Sequence, residues 1–202
     1  GLNYATIQEA IDAPETLNGH TIKVKAGTYY EHLTIDKSLQ IIGEDRTNTI
    51  IDGNKTGTFV VQITTNNVVL SGFTIQNSNT APTPAIRIDS SNNVINNNII
   101  INDGWGVYSF NVQNNTIENN IIQSGINRGA ISIRRSNGNR VQNNTVSGLG
   151  GGICLMFVCN NNTIIGNDIS MDELGIMIWG WNNRVENNAI SGAVGRDVTG
   201  IY

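Results

Sequence analysis

The chain has 202 residues, of which 39% are hydrophobic and 14% charged, with a formal net charge of -4. That is enough apolar material for one long core, and the absence of a basic stripe excludes nucleic acid as a natural partner. No apolar run approaches the length of a membrane span. About one residue in six is Asn and 22 are Gly, against 3 Pro. Both residue types tolerate left-handed backbone angles, so the composition favours many tight turns. The two cysteines, Cys154 and Cys159, are too few for a disulfide scaffold, although the pair is close enough in sequence for one local bridge. Gly1 stands in mid-motif, so the chain reads as a mature form or a fragment.

At the amino terminus, Thr6-Ile7-Gln8-Glu9 fits a capping box, and Ile7, Ala10 and Ile11 make one apolar face before Pro14. Residues 1–19 are therefore predicted to form a cap whose short amphipathic helix covers an open first rung. Residues 20–56 read as irregular early rungs. They hold strands at Thr21–Lys25 and Leu33–Asp36, a turn at Gly27, and runs around Leu39–Ile42 and Thr49–Asp52.

Residues 57–202 repeat a beat of aliphatic, two variable positions, Asn, one variable position, aliphatic. The copies are Ile95-Asn98-Ile100, Ile117-Asn120-Ile122, Val141-Asn144-Val146, Ile164-Asn167-Ile169 and Val185-Asn188-Ile190, with Leu70-Phe73-Ile75 as an earlier variant. Their leading positions lie 25, 22, 24, 23 and 21 residues apart, the spacing of a solenoid. Alternating runs such as Ile86-Arg87-Ile88 and Ile131-Ser132-Ile133 supply a further strand per copy. Three short strands per copy leave no room for a helix. The predicted fold is all-β, a right-handed parallel β-helix of about eight rungs of about 23 residues.

Between two inward aliphatics, Asn98, Asn120, Asn144, Asn167 and Asn188 are predicted to stack as an amide ladder inside a turn. Phe73 in the same slot would end that ladder. At the far end, Gly200-Ile201-Tyr202 restarts a strand with nothing to cover it. Either the protein continues there or a partner docks on that end. Four acceptor sequons, at Asn54, Asn114, Asn143 and Asn161, are glycosylation candidates.

The succession from Tyr4-Ala5-Thr6-Ile7-Gln8-Glu9-Ala10-Ile11 through Val24-Lys25-Ala26-Gly27-Thr28-Tyr29 to Ile41-Ile42-Gly43 and Ile50-Ile51-Asp52-Gly53 resembles right-handed β-helix proteins of the pectin-lyase-like superfamily. The later Asn-rich coils are similar to its carbohydrate-binding and sugar-hydrolase repeat group, which includes NosD-type periplasmic proteins. The resemblance implies the fold. It leaves activity open, because the fold hosts lyases, hydrolases, epimerases, esterases and adhesins.

In the enzymes of that superfamily, the site lies on the outer face of the strand that here begins at Ile86, Val107, Ile131, Ile153 and Ile176. Its outward positions are Arg87 and Asp89, Tyr108 and Phe110, Ser132 and Arg134, Cys154 and Met156, and Met177 and Trp179. A catalytic reading would use Asp89 and Arg134, about 10 Å apart across two rungs. Asp89 has no second carboxylate for inverting hydrolysis, and Arg134 lacks the acidic cluster that would hold a lyase's calcium. A binding reading uses Tyr108, Trp105, Trp179 and Trp181 to stack on sugars, with Arg87 and Arg134 pairing acidic groups. A copper reading uses the soft donors Cys154, Met156 and Met177.

The sequence thus predicts a non-catalytic structural or adhesive module without a cofactor, extracellular or on the cell surface, the periplasm being the alternative setting. Its expected partners are polysaccharide or glycan, or a protein meeting the outer apolar face or the uncapped end. The alternative is a polysaccharide-active enzyme, either lyase, hydrolase or epimerase, with calcium if a lyase.

Overall fold

A computed structural model describes residues 2–79, 83–102, 104–125 and 129–192. The predicted restart at Gly200-Ile201-Tyr202 lies outside the described residues. Within them the chain winds as a parallel β-solenoid of about seven turns, with two eight-stranded sheets and one seven-stranded sheet. Each turn contributes one strand to each sheet, and every neighbouring pair is parallel. The first sheet runs from Thr21–Val24 to Arg184–Glu186, the second from Gly27–Tyr29 to Ala189–Ser191, and the third from Leu33–Ile35 to Leu174–Ile178. Gly27 is a correction to the predicted turn: it opens a strand that pairs with Thr49–Thr56.

Register follows the aliphatic beat. Leu70, Ile95, Ile117, Val141, Ile164 and Val185 are consecutive partners in the first sheet. Ile75, Ile100, Ile122, Val146, Ile169 and Ile190 do the same in the second. Each column is buried until its last rung, where Ile190 is 46% exposed. A buried aliphatic side chain contributes about 1.5–3 kcal/mol, so the interior stack is the main source of stability.

The turns flanking the first sheet carry the asparagines, and they carry two ladders. In the turn after each strand, Oδ1 of Asn98, Asn120, Asn144, Asn167 and Asn188 accepts the backbone N–H of the residue one rung earlier at 2.9–3.0 Å. Their Nδ2 groups donate to the carbonyls of Leu70, Ile95, Ile117, Val141 and Ile164. Phe73 heads this column and offers its own N–H to Asn98. In the turn before each strand, Oδ1 of Asn93, Asn115, Asn139, Asn162 and Asn183 likewise accepts a backbone N–H from one rung earlier, headed by Val68. Sequence reasoning missed this second column.

The residue preceding each ladder position is left-handed. Asn97, Asn119, Asn143 and Asn187 have φ of 53–56°, with Gly166 in the same role at 67°. The Asn-Asn pairs therefore divide two tasks. The first Asn supplies a left-handed angle that most L-residues resist, and the second saturates buried backbone.

The cap is as predicted: α1, Ile7–Asp12, starts with a capping box between Thr6 and Glu9 and buries Ile7, Ala10 and Ile11. Glu31 accepts the N–H groups of Ile7 and Gln8 at 3.0 and 2.9 Å, so a carboxylate holds the helix start. Gln8 imitates a neighbouring strand. Its Oε1 accepts Thr34 N–H at 2.9 Å and its Nε2 donates to Thr34 O at 3.2 Å. This saturates the outer edge of Leu33–Ile35, the first strand of the third sheet. Gln8→Ala is expected to leave that edge unpaired, cost about 1–2 kcal/mol, and produce concentration-dependent association in size-exclusion chromatography. A variant that stays monodisperse at all concentrations would show that the helix body alone protects the edge. No helix among the described residues is long and apolar enough to cross a membrane.

Candidate functional site

The third sheet presents outward columns in the expected register. Arg87, Tyr108, Ser132, Cys154 and Met177 are successive partners, and beside them Phe110 pairs with Arg134 and Arg134 with Met156. Alternation along the strand sets the face, but it does not say what lies over it. Ser132 and Cys154 point outward and are nevertheless buried.

Arg134 provides part of the cover over Ser132. Its Nε donates to Ser132 Oγ at 3.2 Å, which draws the guanidinium back across the sheet. There its Cζ lies 5.3 Å from the ring centroids of both Trp105 and Tyr108, and 5.6 Å from that of Phe157. Trp105 and Tyr108 are tilted against each other at 5.0 Å, and Phe157 meets Trp179 edge-on at 6.0 Å. Arg135 lies 5.7 Å from the Phe110 ring. Each cation–π contact of this kind contributes about 0.5–2 kcal/mol, the larger values where water is excluded. The result is an aromatic array, pinned by one arginine, that crosses four rungs.

Phe157 was absent from the candidates. It occupies the left-handed slot after the strand, φ 60°, where neighbouring rungs have Asn111 and Arg135. Val158 follows at φ 65°, and both side chains are exposed. Two successive bulky residues in this region hold an unfavourable backbone, a feature that clusters at binding surfaces. An apolar residue in an Asn slot was the available signal.

The other candidates are distributed differently. Trp179 is 52% and Trp181 66% exposed, with Trp181 in the turn beyond the array. Arg87 is paired with Asp89 at 2.8 Å, and Asp89 also accepts from Gln62 Nε2 at 2.6 Å. Asp89 and Arg134 are thus each committed to other partners. The four sequon asparagines are all exposed.

Cys154 and Cys159 are free thiols, which corrects the local disulfide reading. They lie on opposite sides of the wall: Cys159 joins the interior and donates to the carbonyls of Ile133 and Met156 at 3.4 and 3.2 Å. The copper reading fares no better on its donors. Cys154 pairs in register with Met177, but its Sγ is turned toward Gly129 and Gly151, where an added Cβ would sit 3.3 and 3.4 Å away. Burial pushes its thiol up to about 11, away from the thiolate a metal needs. His32 is held by Phe59 O and Thr56 Oγ1, at 2.6 and 3.0 Å. Among the described residues no three His, Cys, Asp or Glu side chains converge. Among the described residues, the buried and protonated Cys154 thiol does not suit a copper centre.

With this geometry in hand, comparisons place the chain among known proteins. Over 98% of its length it is 31% identical to a cell surface glycoprotein of Methanothermus fervidus, of which it spans 31%. Its fold is similar to rice weevil pectin methyl esterase, with a TM-score of 0.71 at 16% identity, covering 95% of this chain and 76% of that one. It is also similar to a pectin methylesterase crystallised with a hexasaccharide, with a TM-score of 0.65 at 17% identity, covering 86% and 64%. At such identities the likeness is one of fold. The sequence profile described as periplasmic copper-binding protein (NosD) matches residues 61–202, most of the solenoid, and the chain belongs to the NosD family.

Proposed function

We propose that this chain is a structural and adhesive β-solenoid module of an extracellular, cell-surface or periplasmic protein, and that it binds glycan through the outer face of the third sheet. The observation that carries the reading is the Trp105–Tyr108–Arg134–Phe157–Trp179 array. Sugar rings present apolar C–H faces that stack on aromatic planes, and rungs about 4.8 Å apart repeat such planes along an extended chain. The setting is supported by the descriptions of the relative and the family, a cell surface glycoprotein and a periplasmic protein.

The enzyme alternative has less support. Asp89 is bound by Arg87 and Gln62, and the paired outward positions on the following rungs, Phe110, Arg134 and Met156, offer no second carboxylate. Copper is named in the family's description, but the donors above do not suit it, so no copper function is proposed.

Affinity electrophoresis through gels cast with acidic and neutral polysaccharides tests the reading. Trp179→Ala is expected to weaken retardation by about tenfold, equivalent to 1.4 kcal/mol. Tyr108→Ala should act similarly by removing a ring beside Arg134. Mobility unchanged in every polysaccharide would remove the glycan reading and leave the exposed apolar patch to a protein partner.

A further inference from the structure

The turns on either side of the first sheet hold a second feature, away from the aromatic array. Their unit is a left-handed Asn, a ladder Asn, and the first residue of the next strand. Wherever that strand residue is Thr, the unit spells an acceptor sequon: Asn114-Asn115-Thr116, Asn143-Asn144-Thr145 and Asn161-Asn162-Thr163. The two asparagines of each unit are in opposite states. The ladder members are buried, with Nδ2 of Asn115, Asn144 and Asn162 donating to the carbonyls of Ser90, Ile117 and Ser136 at 3.0, 2.9 and 3.1 Å. Asn114, Asn143 and Asn161 are exposed, at φ 53–56°.

Two of these amides pack against a glycine of the next rung. The next rung has Gly138 over Asn114 and Gly166 over Asn143, and a Cβ on either glycine would fall 2.5 or 2.6 Å from the asparagine Oδ1. The fourth sequon, Asn54-Lys55-Thr56, differs in its hydroxyl. Thr56 Oγ1 donates to Gly53 O at 3.1 Å and lies 3.0 Å from His32 Nε2, so it is engaged on both sides.

We propose that Asn114, Asn143 and Asn161 carry N-linked oligosaccharides and that Asn54 does not. The donor is a lipid-phosphate-linked oligosaccharide, delivered by a membrane transferase. The carboxamide nitrogen attacks the anomeric carbon, the bond from that carbon to the phosphate oxygen breaks, the nitrogen loses one proton, and the lipid phosphate leaves with the electron pair. Asn114 and Asn161 stand two rungs apart, about 10 Å, at one margin of the first sheet, with Asn143 at the other. The sugars would lie over that sheet's outer face, where Arg140 bonds Gln142 and Gln142 bonds Glu118. Asn114 and Asn161 occupy turns that join the third sheet to the first, and the Asn161 N–H donates to Trp181 O at 3.1 Å.

The test is glycopeptide mass spectrometry on the chain secreted from a host that modifies Asn-X-Thr, with a reporter sequon on an appended flexible tag. Occupancy is expected at Asn114, Asn143 and Asn161. Thr116→Val, Thr145→Val and Thr163→Val should each abolish it at one site only, and the corresponding Ser variants should retain it. Thermal melts by circular dichroism would verify that each variant is folded. Asn119 and Asn187 share the turn geometry without a hydroxyl two residues on, and should stay bare. An occupied reporter beside three bare sites would overturn the proposal, as would Asn54 occupied to the same extent as the others.

Discussion

Asn120→Asp is expected to destabilise the solenoid by about 3–5 kcal/mol, the range for an uncompensated buried charge. The side chain sits mid-ladder and is 1% exposed. Its Oδ1 accepts from Asn98 N–H at 3.0 Å and from Asn98 Nδ2 at 3.2 Å. Its Nδ2 donates to Ile95 O at 2.9 Å and to Asn144 Oδ1 at 3.0 Å. The aspartate keeps the acceptor half but turns a second oxygen onto two oxygens, and either holds a buried charge or takes up a proton. Asn120→Ala should cost less, about 2–3 kcal/mol, by leaving the Asn98 N–H and the Ile95 carbonyl without partners. For a chain of this size each kcal/mol moves the thermal midpoint by about 2–4 °C, so the aspartate should lower it by about 10 °C. Asn119→Gly is the control, because Gly adopts the left-handed angle of Asn119, φ 56°, without strain. A wild-type melt for Asn120→Asp would mean that the column does not hold neighbouring rungs together.

Phe73→Ala should destabilise to a similar extent, by about 3–5 kcal/mol. Phe73 is among the largest fully buried side chains and fills the turn slot at the head of the Asn98 column. Removing the ring opens a cavity beside Gly43, whose added Cβ would lie 3.2 Å from the phenyl edge. Phe73→Asn is the sharper variant. The matching residue one rung earlier is Glu44, whose N–H already donates to Val24 O, so an added Oδ1 would find no donor there. The substitution should therefore be no milder than Ala, even though Asn fills this slot in the five rungs that follow. Chemical denaturation monitored by circular dichroism separates the outcomes, and a stable Phe73→Asn would show that the ladder can extend by a rung.

These two residues show how far the sequence could be read. The Asn98 column was legible because an aliphatic three before and two after each Asn frame the slot, and the frame repeats near 23 residues. The Asn93 column has the same chemistry but no frame. It lies before the first aliphatic of each beat, and Gly138 interrupts its Asn-Asn pairs, so the run looked like polar turn. The cap was legible as far as its helix. That Gln8 would pair with Thr34 as a strand does was not, since those residues are 26 apart and no local rule joins them.

Period-2 alternation and a repeat near 23 residues encode nearest-neighbour contacts, and in a solenoid those contacts are the fold. They settle which residues face inward, which rung follows which, and which columns share a face. What they do not encode is how a long side chain leans once it leaves the backbone. Arg134 could have reached outward to solvent. Its bond to Ser132 and its packing among Trp105, Tyr108 and Phe157 bring together residues of three rungs. That choice converts an outward row of residues into a contact surface. It depends on torsions and on neighbours more than twenty residues away, so it exists only once the coils have stacked.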